Sequence, residues 1–430
     1  MTMHPARRVL LTALVAWASP GLAVAQSATT GNELDALNLA DRAEAAPDKS
    51  GGPWRIYLEG AGTTRRLAGP DETAGAVRAS IDLRYDAKLS PDLRLVVSNR
   101  LDLVHDESDR PVKSVNTLRE AFLSWARNDS QTFDLGRVNV RHGAALGYNP
   151  TDWFKENALR GVVSPDPAAL RENRQGTFVL QGQQLWPEGG ITLTLSPRLQ
   201  RHRSTDPSAL SLDLGANNSR NRWLLGGSWR LANGWTPEVL VHGSEGASPQ
   251  IGLNLSALAG DAVVVFGEVT SGTGQTLVAQ ARQETGNERR RERAALGLTY
   301  TTPINLSVTL EAEYNGAAPD RTQWRALQNA GPTAVLQFLN TASVLQDLPV
   351  RRAVFAYATW KDAFVRRLDL SAFVRQELET RSRSQWLEAR HRWDGVDLAV
   401  QLLLNSGDAG SVYRTLALRH ALEVSLRWYL

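Results

Sequence analysis

The stretch "ALRHALEVSLRWYL" (Ala417–Leu430) separates into two sets when every second residue is read. Leu418, His420, Leu422, Val424, Leu426, Trp428 and Leu430 form one set. Arg419, Ala421, Glu423, Ser425, Arg427 and Tyr429 form the other. A period of two belongs to a strand, whose side chains alternate between opposite faces. One face here is greasy and the other charged. The pattern places Leu416 through Leu430 against lipid and Arg419, Glu423 and Arg427 against a wet interior.

The alternation recurs along the chain. "AVRASIDLRYDAKL" sets Val77, Ala79, Ile81, Leu83 and Tyr85 against Arg78, Ser80, Asp82, Arg84 and Asp86. "LRLVVSNRLDL" and "INLSVTLEAEY" do the same, with Arg94, Arg100, Asp102, Glu311 and Glu313 on their polar faces. A soluble β-sandwich also alternates, but its strands are shorter than the nine or so residues that a tilted crossing of a bilayer needs. Short connections ("SPD", "NDSQ", "PEGG", "ANGW", "LAGD", "TTP", "DAF", "WDGV") alternate with long ones near 139–172, 201–219, 270–290 and 316–349. Eight short turns give eighteen strands with both termini on one side; sixteen is the other count, because alternation blurs at 132–138, 236–244 and 351–361. Tryptophans gather near strand ends, as at Trp54, Trp125, Trp186, Trp223, Trp235, Trp360, Trp393 and Trp428, which suits interfacial girdles. The expected fold is all-β: a transmembrane antiparallel up-and-down barrel spanning 53–430, with short helices in its long loops.

Composition narrows the field. The 430 residues carry a formal charge of +3 and no cysteine, which excludes disulfides and thiol chemistry. Arg7 and Arg8, the apolar run Val9–Trp17 and "AVA" at 23–25 read as a secretory signal over 1–25. Its removal leaves a charge near +1 (3 minus Arg7 and Arg8), so charge gives no reason to expect a nucleic-acid partner. No later run approaches the 18 apolar residues of a spanning helix, so a closed barrel is the way left to cross a membrane. Residues 26–52 are polar and alanine-rich, too few for a plug domain.

Chemistry is sought first in "RVNVRHGAALGYNPTDWFKENALRGVVSPDPAALRENRQG" (137–176), the third long connection. Asn149 can cap a short helix, Pro150 fits its first turn and Asp152 favours its positive end. Trp153, Phe154 and Leu159 give it an apolar side. An inward fold brings Arg137, Arg141, Asp152, Lys155, Glu156 and Arg160 to a constriction; an outward fold leaves them solvated. Lumen-facing arginines (Arg55, Arg78, Arg84, Arg94, Arg100, Arg375, Arg390, Arg419, Arg427) face as many acids. They are either cross-strand ion pairs or a ladder for an anionic or hydroxyl-rich solute. "NERRRER" (287–293) suits lipopolysaccharide phosphates or a solvated loop. "DRTQWRALQNAGPTAVLQFLNTASVLQDLP" (320–349) reads as one or two amphipathic helices, with Trp324, Leu327, Val335, Phe338, Leu339 and Leu345 as the stripe. GxSxG, HExxH and Walker patterns are absent. The expectation is a non-enzyme without cofactor or metal.

The chain resembles Gram-negative outer-membrane β-barrels. "LGR" (Leu135–Arg137) and "NPTD" (Asn149–Asp152) are similar to segments of porin-like and exopolysaccharide (alginate)-export-like barrels. The resemblance implies passage of a small hydrophilic or anionic solute, or of a polysaccharide, across the outer membrane, with Arg137 and Asp152 on the lumen side. The terminal Trp428-Tyr429-Leu430 resembles the signal read by the outer-membrane assembly machinery, with Leu430 where Phe or Trp is usual. Outer-membrane lipid, lipopolysaccharide and that machinery are the expected partners. The competing reading is a closed-lumen structural or assembly component of a cell-surface system.

Overall fold

The computed structural model describes residues 52–68, 73–107, 109–201, 212–231, 234–286 and 288–430. The expected signal and all but Gly52 of the expected 26–52 segment lie outside them. Eighteen strands form one sheet that closes on itself, each pairing antiparallel with its chain neighbours and the last pairing with the first. They are Trp54–Leu67 (β1), Thr73–Lys88 (β2), Leu93–Asp106 (β3), Asp109–Asn128 (β4), Gln131–Val138 (β5) and Thr177–Trp186 (β6). Then follow Gly189–Ser196 (β7), Arg222–Trp229 (β8), Trp235–Ser244 (β9), Gln250–Ala259 (β10), Val263–Gly274 (β11) and Arg289–Thr301 (β12). Leu306–Asn315 (β13), Arg352–Trp360 (β14), Leu368–Glu377 (β15), Ser382–Arg392 (β16), Val396–Gly407 (β17) and Leu418–Tyr429 (β18) complete the ring. Closure leaves no unpaired edge, so backbone polar groups are satisfied within the sheet.

All eight short connections fall at one end of the barrel, where Trp54 and Leu430 also lie. The long connections fall at the other, although 107–108, 245–249 and 378–381 there are short as well. Outward positions such as Val77, Ile81, Leu253, Leu298, Leu310, Leu387, Leu422 and Leu426 are exposed. An apolar belt this continuous is a membrane-facing surface. Seven exposed tryptophans (Trp54, Trp125, Trp186, Trp229, Trp235, Trp393, Trp428) ring the turn end. Trp223 alone of the expected girdle stands at the loop end.

Six short helices lie in the loops among the described residues: Pro167–Glu172 (α1), Leu214–Asn217 (α2), Leu277–Ala281 (α3), Arg321–Asn329 (α4), Pro332–Leu345 (α5) and Val412–Thr415 (α6). The expected stripe of 320–349 is the buried side of α4 and α5, with Trp324, Leu327, Val335, Phe338 and Leu339 all buried. Asp320 and Gln323 cap α4 reciprocally. Gly331, at φ +102°, turns the chain into Pro332 at the start of α5.

Two expectations about the closing strand need correction. Leu416 and Leu418 do not face lipid; both are buried in a core with Val412, Tyr413 and Leu403. The register shifts opposite Arg66 and Leu67, which moves the start of β18 out of phase. Arg419 consequently donates to the carbonyls of Arg414 (2.8 Å) and Leu416 (3.0 Å) in its own loop.

The three blurred segments are strands, for a physical reason. Inward positions Phe355 and Tyr357 of β14, and Leu240 of β9, are apolar because loops pack on them from inside. Both faces then read as hydrophobic.

Candidate functional site

The loop 139–176 decides what the interior can do. Near its start, Ala145 N–H donates to Glu268 Oε1 on β11 (2.6 Å). Further on, Val163 O accepts from Arg78 on β2 (3.4 Å). In a ring of eighteen, β2 and β11 are nine strands apart, so the loop crosses the full diameter of the lumen. The inward fold is the one observed.

Three walls hold it. On β11 and β13, Glu268 and Glu311 accept backbone amides: Ala145 N, Leu146 N (2.5 Å) and Gly147 N (2.7 Å). Successive amides converging on carboxylates form an anion nest made by the loop, with the acids supplied by the wall. Gly143 (φ +83°) and Gly147 permit this approach, since a Cβ on either would overlap Glu268 or Glu313 and Phe355. Arg375 on β15 pairs with Glu313 (3.2 Å) and donates to Gly147 O. On β14 and β17, Tyr357 donates to Asp166 (2.8 Å), and Ser164 donates to Gln401 (3.0 Å). On β10, Gln250 accepts from Trp153 Nε1 (2.7 Å).

The expected helix of this loop is displaced. Only a 3₁₀ turn, Trp153–Lys155, follows Asp152, whose side chain caps nothing. Asn149 donates to His142 O (2.5 Å) instead of capping. The helix is α1, capped by Asp166 with Pro167 in its first turn.

Asp152 is fully buried and pairs with Arg174 (2.5 Å). Burial alone would raise its pKa, but Arg174 and Arg171 hold it below the usual carboxylate range. Lys155 donates to Asn149 O (2.6 Å) and sits over the Tyr148 ring. Burial lowers its ammonium to about 8 despite Asp347 and Asp152. Arg160 pairs with Asp213 (2.6 Å), Glu156 meets Arg220, and Arg137 donates to Leu212 O (2.7 Å). Arg141 is half-buried. Arg137, Asp152, Lys155 and Arg160 are therefore packed where the loops meet the wall; they do not line open water.

The remaining expected residues lie on the opposite wall in an ion-pair mesh. Arg100, 1% exposed, reaches Glu59 (2.7 Å) and Asp102 (2.9 Å). Glu59 also takes Arg78 (2.5 Å) and Arg427 (2.9 Å). Toward the turn end, Arg84 pairs with Glu120 (2.8 Å) and Arg94 with Asp86 (2.6 Å), their side chains 28% and 31% exposed. These two face water. Arg119, which pairs with Asp82 (2.5 Å), is not legible from alternation. A bulge where Ser98 opposes Glu120 and Asn99 opposes Leu118 turns Arg119 and Glu120 inward together.

The loop 316–351 interlocks with the crossing loop. Asn157 N donates to Val344 O (2.9 Å), Gln346 to Lys155 O (2.5 Å), and Tyr148 to Asp347 (2.6 Å). Arg174, Asp213, Glu268, Gln346 and Asp347 escaped sequence reading because their partners are far away in the chain. The pair Gly143 and Gly147 was the available signal. Among the described residues, no group of three His, Asp or Glu is placed to hold a metal ion.

No protein-family model and no curated protein matches the chain. Solved structures do match. OccAB1 of Acinetobacter baumannii superposes with a TM-score of 0.57 at 10% identity, covering 90% of this chain and 99% of that one. OccK5 (OpdH) of Pseudomonas aeruginosa gives 0.51 at 9% identity, covering 88% and 98%. OprD of Pseudomonas aeruginosa gives 0.50 at 9%, covering 89% and 97%. The fold is similar to that of OprD and the Occ channels. The likeness to exopolysaccharide-export barrels finds no support among them.

Proposed function

We propose that the protein is a channel of the Gram-negative outer membrane, passing small hydrophilic or anionic solutes, and that it is not an enzyme. The observation that carries this reading is the loop that crosses the lumen between β2 and β11. A closed barrel with an apolar outer belt needs no polar traverse for stability alone. One that narrows the bore sets a size limit and a charge filter. The partly exposed Arg84 and Arg94 give the turn-end vestibule cationic groups able to meet an anion. The likeness in fold to OprD and the Occ channels supports solute passage over polymer export. The strand β18, with Trp428 and Tyr429 at its end, is the element offered to the assembly machinery.

The interlock of loops 139–176 and 316–351 favours a second reading, a lumen closed for a structural role. Planar-bilayer recording separates the two. The channel reading expects discrete conductance steps that grow when 316–349 is deleted. A folded protein silent in both forms would overturn it. Reversing charge at Arg84 and Arg94 is expected to shift the zero-current potential in a salt gradient toward cations; an unchanged potential would remove both from the solute path.

A further inference from the structure

The outer wall ends differently at its two rims. The turn end carries indoles, the usual anchors at the level of lipid headgroups. At the loop end of the β12–β16 sector, outward positions are taken by Arg290, Arg352 and Arg383, all exposed. Each is engaged through its Nε: Arg290 with Ser271 Oγ (2.8 Å), Arg352 with Glu379 (2.8 Å), Arg383 with Gln376 (2.9 Å). Arg290 also lies 3.7 Å from Glu292. The side chains of Arg290 and Arg352 remain 76% and 60% exposed, leaving the guanidinium forks turned outward. Pairing keeps Arg352 and Arg383 near each other, two strands apart, whereas Arg290 stands four residues further toward the loop than the row Ala294–Tyr314–Arg352. Arg383 is level with Gln376, Leu378 N donates to Arg352 O (3.1 Å), and Arg321 of α4 reaches Glu379 O (3.2 Å).

Directly beneath, the same wall is hollowed. A groove of about 630 Å³ runs across β11 to β15. Ala312 and Ala356 make its floor, while Leu296, Leu310, Val354 and Val374 rise around it. Val354 follows Arg352 by two residues, so the groove opens about 7 Å below Arg352 along the strand, and Arg383 is level with Gln376 at its edge. Small residues on a lipid-facing strand leave room for a chain of methylenes. Exposed arginine forks at a membrane rim match phosphate oxygens.

We propose that this sector binds one lipopolysaccharide molecule of the outer leaflet, its lipid A phosphates held by Arg352 and Arg383 and one acyl chain lying over Ala312 and Ala356. The charge complementarity selects this occupant over a zwitterionic phospholipid. The proposal rests on the outer-membrane reading and on the loop end facing outward; it is independent of whether the lumen conducts.

Native mass spectrometry of the purified full-length barrel in detergent, with bis-phosphorylated lipid A as the probe, tests it. Wild-type protein is expected to bind one lipid A. Substitution R352Q/R383Q should weaken binding roughly tenfold or more, as should dephosphorylating the probe. The outward variant A312L/A356L should also weaken it while leaving heat-modifiable migration and conductance intact. Undiminished binding by the double arginine variant would overturn the proposal. So would equal binding of phosphatidylethanolamine, or a homo-oligomer that A312L/A356L dissociates, since the groove would then be an interface between copies. Loss of conductance in the wild type with lipid A still bound would strike only the channel reading.

Discussion

Two walls of the barrel carry the same kind of residue and use it differently. On β1–β4 and β18, inward acids meet inward arginines, and Glu59 takes Arg78, Arg100 and Arg427 at once. On β11–β15, Glu268 and Glu311 meet backbone amides of a loop that begins more than a hundred residues earlier. The first wall is redundant, because each charge has several neighbours from adjacent strands. The second is a set of single clasps, because a loop amide has one direction and one partner. Redundancy suits a rigid wall; single clasps suit a segment whose position sets the bore.

That contrast predicts unequal responses to mutation. The largest belongs to Glu311→Ala, which strands two buried N–H groups at Leu146 and Gly147, at about 1–3 kcal/mol each. Protease cleavage within 139–176 should rise sharply while the barrel stays folded, and Glu311→Gln should recover part of the protection. Arg100→Ala should cost less than the about 3–5 kcal/mol typical of a broken buried pair, because Glu59 keeps Arg78 and Arg427. The midpoint of heat-modifiable migration in detergent reads this. A larger loss there than for Glu311→Ala would erase the contrast between the walls.

A third response is to pH. Burial, with Glu388 nearby, pushes Asp166 up to about 6, above its unfolded value of about 4. The contribution of its protonated form is full below about pH 4 and fades as pH rises through 6. Cleavage near α1 should therefore increase from pH 4 to 7, and Asp166→Asn should flatten the profile. The smallest response is that of Arg94→Gln. Its pair with Asp86 is 31% exposed on the arginine side, so the loss should not exceed about 1 kcal/mol. A shift in ion selectivity without a shift in the unfolding midpoint is the expected outcome, and it would place Arg94 in the water path.

Much of the architecture is legible from alternation. The eight short connections in the sequence are the eight turns at one end, and 320–349 contains the two helices its apolar stripe implies. Alternation fails at Arg119 and Arg419, where a bulge or register shift breaks the parity on which the reading depends. It blurs on β14, where Phe355 and Tyr357 point inward yet are covered by loops. The site is less legible than the fold. Asp152 and Lys155 are inside the barrel as the inward fold implies, but their partners Arg174 and Asn149 O place them in a packed loop core.

The sequence alone determined that this chain makes amphipathic strands in sufficient number to close, because side-chain parity along a strand is a local property. It also determined which residues point toward lipid wherever that parity is unbroken. Only the tertiary structure decided which charges are spent on each other and which remain for a solute. Loop 139–176 reaches Glu268, Glu311 and Arg375 only after the ring has closed. Partners separated by more than a hundred residues leave no local pattern, since a carboxylate reads the same whether it awaits an arginine or a backbone amide.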